Sequence, residues 1–290
     1  MEEKKISDES QDLVSPDESG LKEQSSSEKP LFLMSTDSFS NSGLDLIFEL
    51  SKNAGFDWID LAIWKNFDAW NVDYVKKLSK THDLPIKVVQ VSDNVNQKEL
   101  NKALDICEAT GADTIAINAP TFFNLKSFNF LVDNLDAYKK ENEHIHFSII
   151  NPEDSSVFAL PIPKYRFSNL VEIIKKYWCY LGLDIAHFDA EVLENEFIRK
   201  LDKFLPYVAV LYFSDKPKDW TDHLLAGEWV LKLEYILKKI KETGFGRYFS
   251  TKISIAKNDL ADSDKLAAIL KKARKFYEEN YEEVEIKVEE

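Results

Sequence analysis

The chain has 290 residues, of which 44% are hydrophobic and 30% are charged, and its formal net charge is -14 at pH 7. This composition suits one large soluble domain or two small ones, and the apolar runs fall far short of the roughly 18 residues that span a bilayer. A negative field of this size repels nucleic acid and anionic membranes, so we expect neither as a partner.

The two ends of the chain are polar. Residues 1–30 are rich in Ser, Glu, Asp and Lys and have almost no large apolar side chain, which predicts a disordered tail. Residues 278–290 form an acidic run, interpreted as a C-terminal tail that begins either as a solvated helix end or as a short edge strand. The first residues lack the apolar core of a secretory signal, and the only cysteines, Cys107 and Cys179, sit in apolar settings typical of buried thiols. We therefore expect a cytoplasmic protein.

Between these ends, residues 31–277 alternate between short apolar runs and amphipathic segments. The runs that predict strands are LFLMS, WIDLAIW, IKVVQV, DTIAIN, IHFSII, CYLGLD, VAVLYF and YFSTKISI. The segments that predict helices are 43–55, 72–80, 97–111, 126–140, 170–177, 190–204, 228–243 and 262–277.

This alternation predicts an α/β fold, a (β/α)8 TIM barrel. Strands that are apolar along nearly their whole length are buried on both faces, which indicates a parallel sheet. Eight strand–helix units in about 250 residues match the barrel. A doubly wound open sheet is the rival, but it predicts a glycine-rich first turn, and the segment STDSFSNSG lacks that pattern. In a barrel, we expect the functional groups at the carboxyl ends of the strands.

The segment LGLDIAHFDA carries the most specific signal at a strand end. A buried strand ends in Asp184, and His187 follows three residues later. A carboxylate and an imidazole side by side are typical metal ligands, and His223 in the loop after strand seven is a candidate third ligand. The alternative is structural: Asp184 caps the next helix, His187 packs on an aromatic ring, and His223 orders its own loop.

Two segments, LGLDIAH and LYFSDKPKDWTDHLLAGEW, resemble the xylose isomerase-like barrels in order and spacing. These barrels include sugar-phosphate isomerases and epimerases and the metal-dependent apurinic endonucleases. NAGFDWIDLAI and ALDICEATGADTIAIN add weaker similarity. The resemblance implies that Asp184, His187 and His223 bind a divalent cation (Mn, Mg, Co or Zn) and that a carboxylate moves a proton between adjacent carbons of an open-chain sugar.

The chain departs from the family where the family has two glutamates. Ile150 or Asn151 stands at that position on strand five, and Thr251 or Lys252 on strand eight. The candidate catalytic residues that remain are Glu153, which lies close to strand five, and Lys252. The candidate substrate-binding residues are Asn118, Asn151, Tyr212, Asp215 and Glu228.

The sequence leaves three alternative hypotheses for the function of the protein. The first is a divergent isomerase or epimerase that acts on a small carbohydrate or sugar phosphate with a divalent metal. The second is a non-catalytic barrel that binds a small molecule or a protein partner, in which Lys252 pairs with Asp184 and fills the place of the cation, so that no metal is required. The third, an apurinic endonuclease, is least favoured because five histidines and a charge of -14 do not suit several metals and a DNA surface.

Overall fold

The structure is a computed structural model, and it describes most of the chain beyond the N-terminal segment. The described residues are 30–39, 42–120, 124–152, 156–157, 160–161, 179–188, 198–199, 201, 205–216, 223–228, 231–256 and 259–285. Glu153, the predicted helix at 170–177 and most of the predicted helix at 190–204 lie outside them.

Eight parallel strands close into a barrel, which confirms the predicted (β/α)8 class. The barrel strands are β1 (Leu31–Ser35), β2 (Trp58–Ala62), β3 (Ile86–Val91), β4 (Thr114–Asn118), β5 (His146–Ile150), β8 (Tyr180–Asp184), β9 (Val208–Tyr212) and β10 (Tyr248–Thr251). They pair in the order β1-β10-β9-β8-β5-β4-β3-β2. Two short strands, β6 (Ser156–Val157) and β7 (Leu160–Pro161), form a separate antiparallel pair.

Helices follow the strands as the periodicity predicts. Those described over their length are α1 (Leu44–Asn53), α2 (Val72–Thr81), α3 (Gln97–Thr110), α4 (Leu125–Glu141), α5 (Leu233–Glu242) and α6 (Ser263–Tyr277). The Asn96 side chain caps the start of α3, and Gly111, with φ of 79°, ends it. Within the described ranges, no helix combines the length and apolarity needed to cross a membrane.

The helix predicted from Glu228 begins later in the structure. Gly227 has φ of 84°, and the Glu228 N–H donates to the carbonyl oxygen of Leu225, so these residues form a turn. Helix α5 starts at Leu233. Glu228 closes this turn, and the left-handed backbone conformation of Gly227 is typical of a turn and not of a helix.

The packed chain extends one turn past α6. Residues Glu278–Glu282 form a π-helical turn that buries Tyr281. The Lys241 ammonium donates to the carbonyl oxygens of Tyr281, Glu282 and Val284, at 2.5, 3.0 and 2.7 Å. The acidic C-terminal run therefore starts as a helix end that is partly buried.

The hydrophobic core has two parts. One lies between strands and helices, while the other fills the barrel with strand residues alone, among them Val88, Ile150 and Tyr212. Gly182 on β8 makes room for this inner part, because a Cβ atom there would lie 2.7 Å from Ile150 Cγ1 and 3.3 Å from Tyr212 Cε2. The position of the Tyr212 ring thus depends on a glycine in the neighbouring strand.

We expect Gly182→Ala to lower the free energy of unfolding by about 1–3 kcal/mol, because the added methyl overpacks the barrel interior. Urea denaturation measures the loss. In a background of Ile150→Ala, which removes the clashing Cγ1 atom, the same glycine substitution should cost much less. An equal cost in both backgrounds would contradict the steric explanation.

Candidate functional site

A cavity of about 560 Å³ opens at the carboxyl ends of the strands, which we call the mouth. The loops that follow the strands supply its walls, as expected for this fold. Its polar and aromatic lining residues include Asp37, Trp64, Lys65, Asp93, Asn118, Asn151, His187, His223 and Lys252.

The three predicted metal ligands meet at the floor of the mouth. Asp184 is the last residue of β8, His187 ends the short 3-10 turn that follows it, and His223 comes from the loop after β9. Asp184 Oδ2 lies 3.6 Å from His187 Nε2 and 3.7 Å from His223 Nε2. The ligand atoms of all three residues lie within 4.8 Å of one another, so the chain assembles a set of donors that suits a cation.

Hydrogen bonds orient both imidazole rings. His187 Nδ1 lies 2.6 Å from the carbonyl oxygen of Asn151, and since a carbonyl only accepts, Nδ1 carries the proton. His223 Nδ1 pairs with Ser214 Oγ at 2.8 Å. Both rings therefore present Nε2 to Asp184, as metal-ligating histidines do when their other nitrogen is held by oxygen.

His223 is held in a backbone conformation that is rare for residues other than glycine. Its φ is 63°, and its carbonyl oxygen accepts a 2.6 Å hydrogen bond from the Ser254 N–H. The next residue, Leu224, pairs with Asp215 in an antiparallel bridge, and Asp215 Oδ1 accepts from the N–H of Leu231. These contacts fix the position of His223 from several sides. Residues with strained backbone of this kind cluster at functional sites. Asp215, predicted to contact substrate, anchors the loop that carries His223.

Lys252 stands among the same groups. Its Nζ lies 3.5 Å from Asp184 Oδ2 and 3.7 Å from Asp37 Oδ2, and it sits 4.3 Å from the centroid of the Tyr212 ring. The Lys252 side chain is only 4% exposed. One of the three functional hypotheses has Lys252 pair with Asp184 and fill the place of a metal cation. That hypothesis requires this contact between Lys252 and Asp184.

The charge states at the floor follow from burial and from these neighbours. Burial opposes the ionisation of Asp184, yet His187, His223 and Lys252 outweigh it and hold the pKa of Asp184 below its usual value. Burial alone would lower the pKa of Lys252, but Asp184 and Asp37 more than compensate and raise it. Burial lowers the pKa of His223 to about 4, so its ring is neutral at pH 7. Lys252 is then the permanent cation beside Asp184.

The residues at the floor fit a divalent cation only in part. The carboxylate and two Nε2 atoms are suitable ligands, but an ion bound to Asp184 Oδ2 at about 2.1 Å would lie no more than about 5.6 Å from the Lys252 ammonium. At an effective dielectric constant of about 20, the repulsion between charges of two and one at that distance is about 6 kcal/mol. The Lys252 ammonium, in place beside Asp184, therefore opposes a divalent ion at these ligands.

The other predicted contacts divide into supports and lining groups. Asn151 Oδ1 accepts from the Asp184 N–H at 2.6 Å, and Asn151 Nδ2 donates to the Asp184 carbonyl at 3.0 Å, so this amide holds the Asp184 backbone.

Asn118 lines the mouth and donates to the carbonyl oxygen of Val91. Tyr212, predicted to contact substrate, is fully buried, and its ring lies beside the Lys252 ammonium. The Glu228 side chain is half-exposed, 3.9 Å from Lys272, and lies away from the floor.

The sequence assigned no role to two charged residues of the mouth, Asp37 and Lys65. Asp37 Oδ1 pairs with Lys65 at 3.0 Å while its other oxygen faces Lys252, so one carboxylate bridges the rim and the floor. The available signal was position, because Asp37 follows β1 and Lys65 follows β2 at the edge where the mouth forms.

Asp60 lies in the barrel interior, on β2. Its Oδ2 accepts from Gln90 Nε2 and from Ser250 Oγ, both at 2.6 Å, while Oδ1 has no hydrogen-bond partner among the described residues. Burial raises the pKa of Asp60 to about 7. A carboxyl group that holds its proton up to neutral pH thus lies in the same barrel as the charged floor.

Several solved structures share this barrel fold. A xylose isomerase domain containing protein from Salmonella typhimurium LT2 matches with a TM-score of 0.60 and 13% identity, over 86% of this chain and 97% of that chain. L-ribulose 3-epimerase matches with a TM-score of 0.61 and 14% identity, over 87% and 95%. A D-tagatose 3-epimerase-like protein matches with a TM-score of 0.61 and 16% identity, over 85% and 99%.

These likenesses show that the chain shares the barrel fold of these proteins. No protein-family model matches the chain, and a search of curated proteins finds no match. At such identities the likeness concerns the fold, and the chemistry must be argued from the site.

The pKa of Asp60 predicts how stability depends on pH. The folded protein keeps a proton that the unfolded chain loses near pH 3.8, so Asp60 lowers the free energy of unfolding as pH rises from about 4 to about 7. Asp60→Asn removes this term. We expect the free energy of unfolding of the variant, relative to wild type, to rise by about 2 kcal/mol between pH 5 and pH 8.

Urea denaturation of both proteins at the two pH values measures this difference, in which the other titrations cancel. Asp136→Asn, at an exposed carboxylate on α4, serves as the control and should show no such change. A variant that tracks wild type at both pH values would contradict a raised pKa at Asp60.

Proposed function

We propose that the mouth of this barrel binds a small carbohydrate. The observation that carries the proposal is the cavity itself: about 560 Å³, at the carboxyl ends of the strands, with polar groups converging on its floor. Small-molecule sites are concave and combine apolar walls with a few well-placed polar groups. A cavity of this volume accommodates a sugar of five or six carbons.

The lining offers the contacts that a polyol needs. Asp37 accepts hydrogen bonds, Lys252 donates them, and the imidazoles of His187 and His223 add further polar atoms beside them. Trp64 adds a half-buried indole, whose face suits the C–H side of a sugar ring. The two epimerase structures named above share this barrel and support a carbohydrate as the ligand class.

Isomerase or epimerase activity is the second candidate function. The convergence of Asp184, His187 and His223 favours it, since these are the residues that the family resemblance assigns to the cation beside the reacting sugar. The reaction moves a proton between adjacent carbons and needs a positive charge near the sugar oxygens. In this chain the positive charge at that place is the Lys252 ammonium.

Sugar binding is tested by titration calorimetry with D-ribulose, D-tagatose, D-fructose and their phosphates. We expect at least one sugar to bind, and Trp64→Ala to weaken it about tenfold by removing the stacking surface. Phe67→Ala, in the same β2–α2 connection but 87% exposed, is the matched control and should bind as wild type does. If no member of the panel binds, the proposal fails.

Catalysis is tested separately by incubating each sugar that binds in D2O and recording proton and carbon NMR spectra. Proton transfer through an enediol or a carbanion should place deuterium at the carbon next to the carbonyl and produce an epimer or isomer. A sugar that binds but is recovered unchanged, with no deuterium and no epimer or isomer, would identify a binding module and exclude the second candidate.

A further inference from the structure

Three nitrogen atoms surround one carboxylate oxygen at the floor of the mouth. His187 Nε2, His223 Nε2 and Lys252 Nζ lie 3.6, 3.7 and 3.5 Å from Asp184 Oδ2. The two imidazoles have their Nδ1 atoms held by Asn151 and Ser214, so that their Nε2 atoms face Asp184. The ammonium is the member of this group that a metal-binding site would not contain.

We propose that the Lys252 ammonium is the built-in cation of this mouth, and that it takes the place of a divalent ion beside Asp184, His187 and His223 and keeps such an ion out. The chain would then hold three metal ligands that its own lysine masks. Removing that lysine should convert the floor into a metal site.

Several contacts fix the ammonium in place. The Tyr212 ring lies beneath it at 4.3 Å, in the space that Gly182 leaves open, and a cation over an aromatic face is favourable. Asp37 supplies a second carboxylate at 3.7 Å on the side of the mouth away from Asp184. Lys252 directly follows the last residue of β10, so its backbone is set by the barrel.

The ammonium also donates hydrogen bonds to a bound sugar. This part of the inference rests on the proposed function. Lysine offers three N–H donors on a compact charge, and Lys252 lines the cavity. The carboxylates of Asp184, at the floor, and of Asp37, at the wall, lie beside the Lys252 ammonium. A sugar carbonyl or hydroxyl oxygen that enters the mouth meets a positive charge there without any added ion.

The test measures metal binding and needs no sugar. Wild type, Lys252→Met and Lys252→Gln are dialysed against Zn²⁺ or Mn²⁺, and elemental analysis then gives the ions per chain. Lys239→Met, at an exposed lysine of α5 paired with Glu242, is the matched control for loss of one positive charge. Lys252→Met with Asp184→Asn is the control for the ligand set.

We expect wild type and Lys239→Met to hold no stoichiometric ion, and Lys252→Met to hold about one. Affinity should rise at least 100-fold over wild type, because the opposing charge is gone. The double variant should lose the ion. Co²⁺ added to Lys252→Met should produce visible absorption bands typical of nitrogen and oxygen ligands, which surface binding does not produce.

Loss of Lys252 leaves Asp184 without its cation, so stability is followed in parallel. Zn²⁺ should raise the melting temperature of Lys252→Met and leave that of wild type unchanged, since an ion stabilises only a fold that binds it. Lys252→Gln keeps a polar side chain of similar shape and serves if the methionine variant unfolds.

Two results would overturn the inference. One is a wild-type protein that holds about one ion per chain and loses it in Asp184→Asn. The other is a folded Lys252 variant that binds no ion, because the ammonium would then not be what keeps the ion out. Neither result bears on the sugar titration, so the carbohydrate proposal and this inference fail independently.

Discussion

A carboxylate that is cut off from water needs positive charge beside it, and this requirement organises the mouth of the barrel. Asp184 is fully buried, and its neighbours are arranged around its charge. Asn151 holds its backbone from both sides, two imidazoles direct their Nε2 atoms toward it, and Lys252 supplies the cation. Without Lys252, or another cation in its place, the same arrangement would leave an unpaired charge inside the protein.

Barrel closure decides which charges can meet. The pairing of β1 with β10 aligns Met34 with Thr251, so the residues that follow these strands, Asp37 and Lys252, face each other across adjacent loops. The pairing of β8 with β9 aligns Asp184 with Tyr212 and so places the aromatic platform next to the carboxylate. Residues from opposite ends of the chain thus become neighbours through strand order.

Much of this arrangement could be predicted from the order of residues. The strands are short apolar runs bounded by polar residues, so their number, their parallel pairing and the cluster of Asp184, His187 and His223 at one edge follow from pattern. The direction of a long side chain does not. Whether Tyr212 contacts a ligand or supports a lysine depends on the space at Gly182, one strand away.

The same limit applies to the turn at Gly227 and to the pair of Asp37 and Lys65. Helical periodicity around Glu228 favours a helix, but the left-handed backbone at Gly227 and its contact with α6 are tertiary effects that no local pattern records. The ion pair depends on two loops brought together by β1 and β2. Local propensity determines the elements, while the meeting of their loops determines the site.

The position of Lys252 also bears on how the protein would respond to the supply of metal ions in a cell. A cation carried on a side chain is made with the chain, in a ratio of one to one, and cannot be removed by a chelator or exchanged for a tighter-binding ion. Starvation for zinc or manganese, or an excess of copper, would leave the charge at this mouth unchanged. A lysine has a single positive charge and a fixed side-chain length, so neither property of this cation can be varied by exchanging one ion for another.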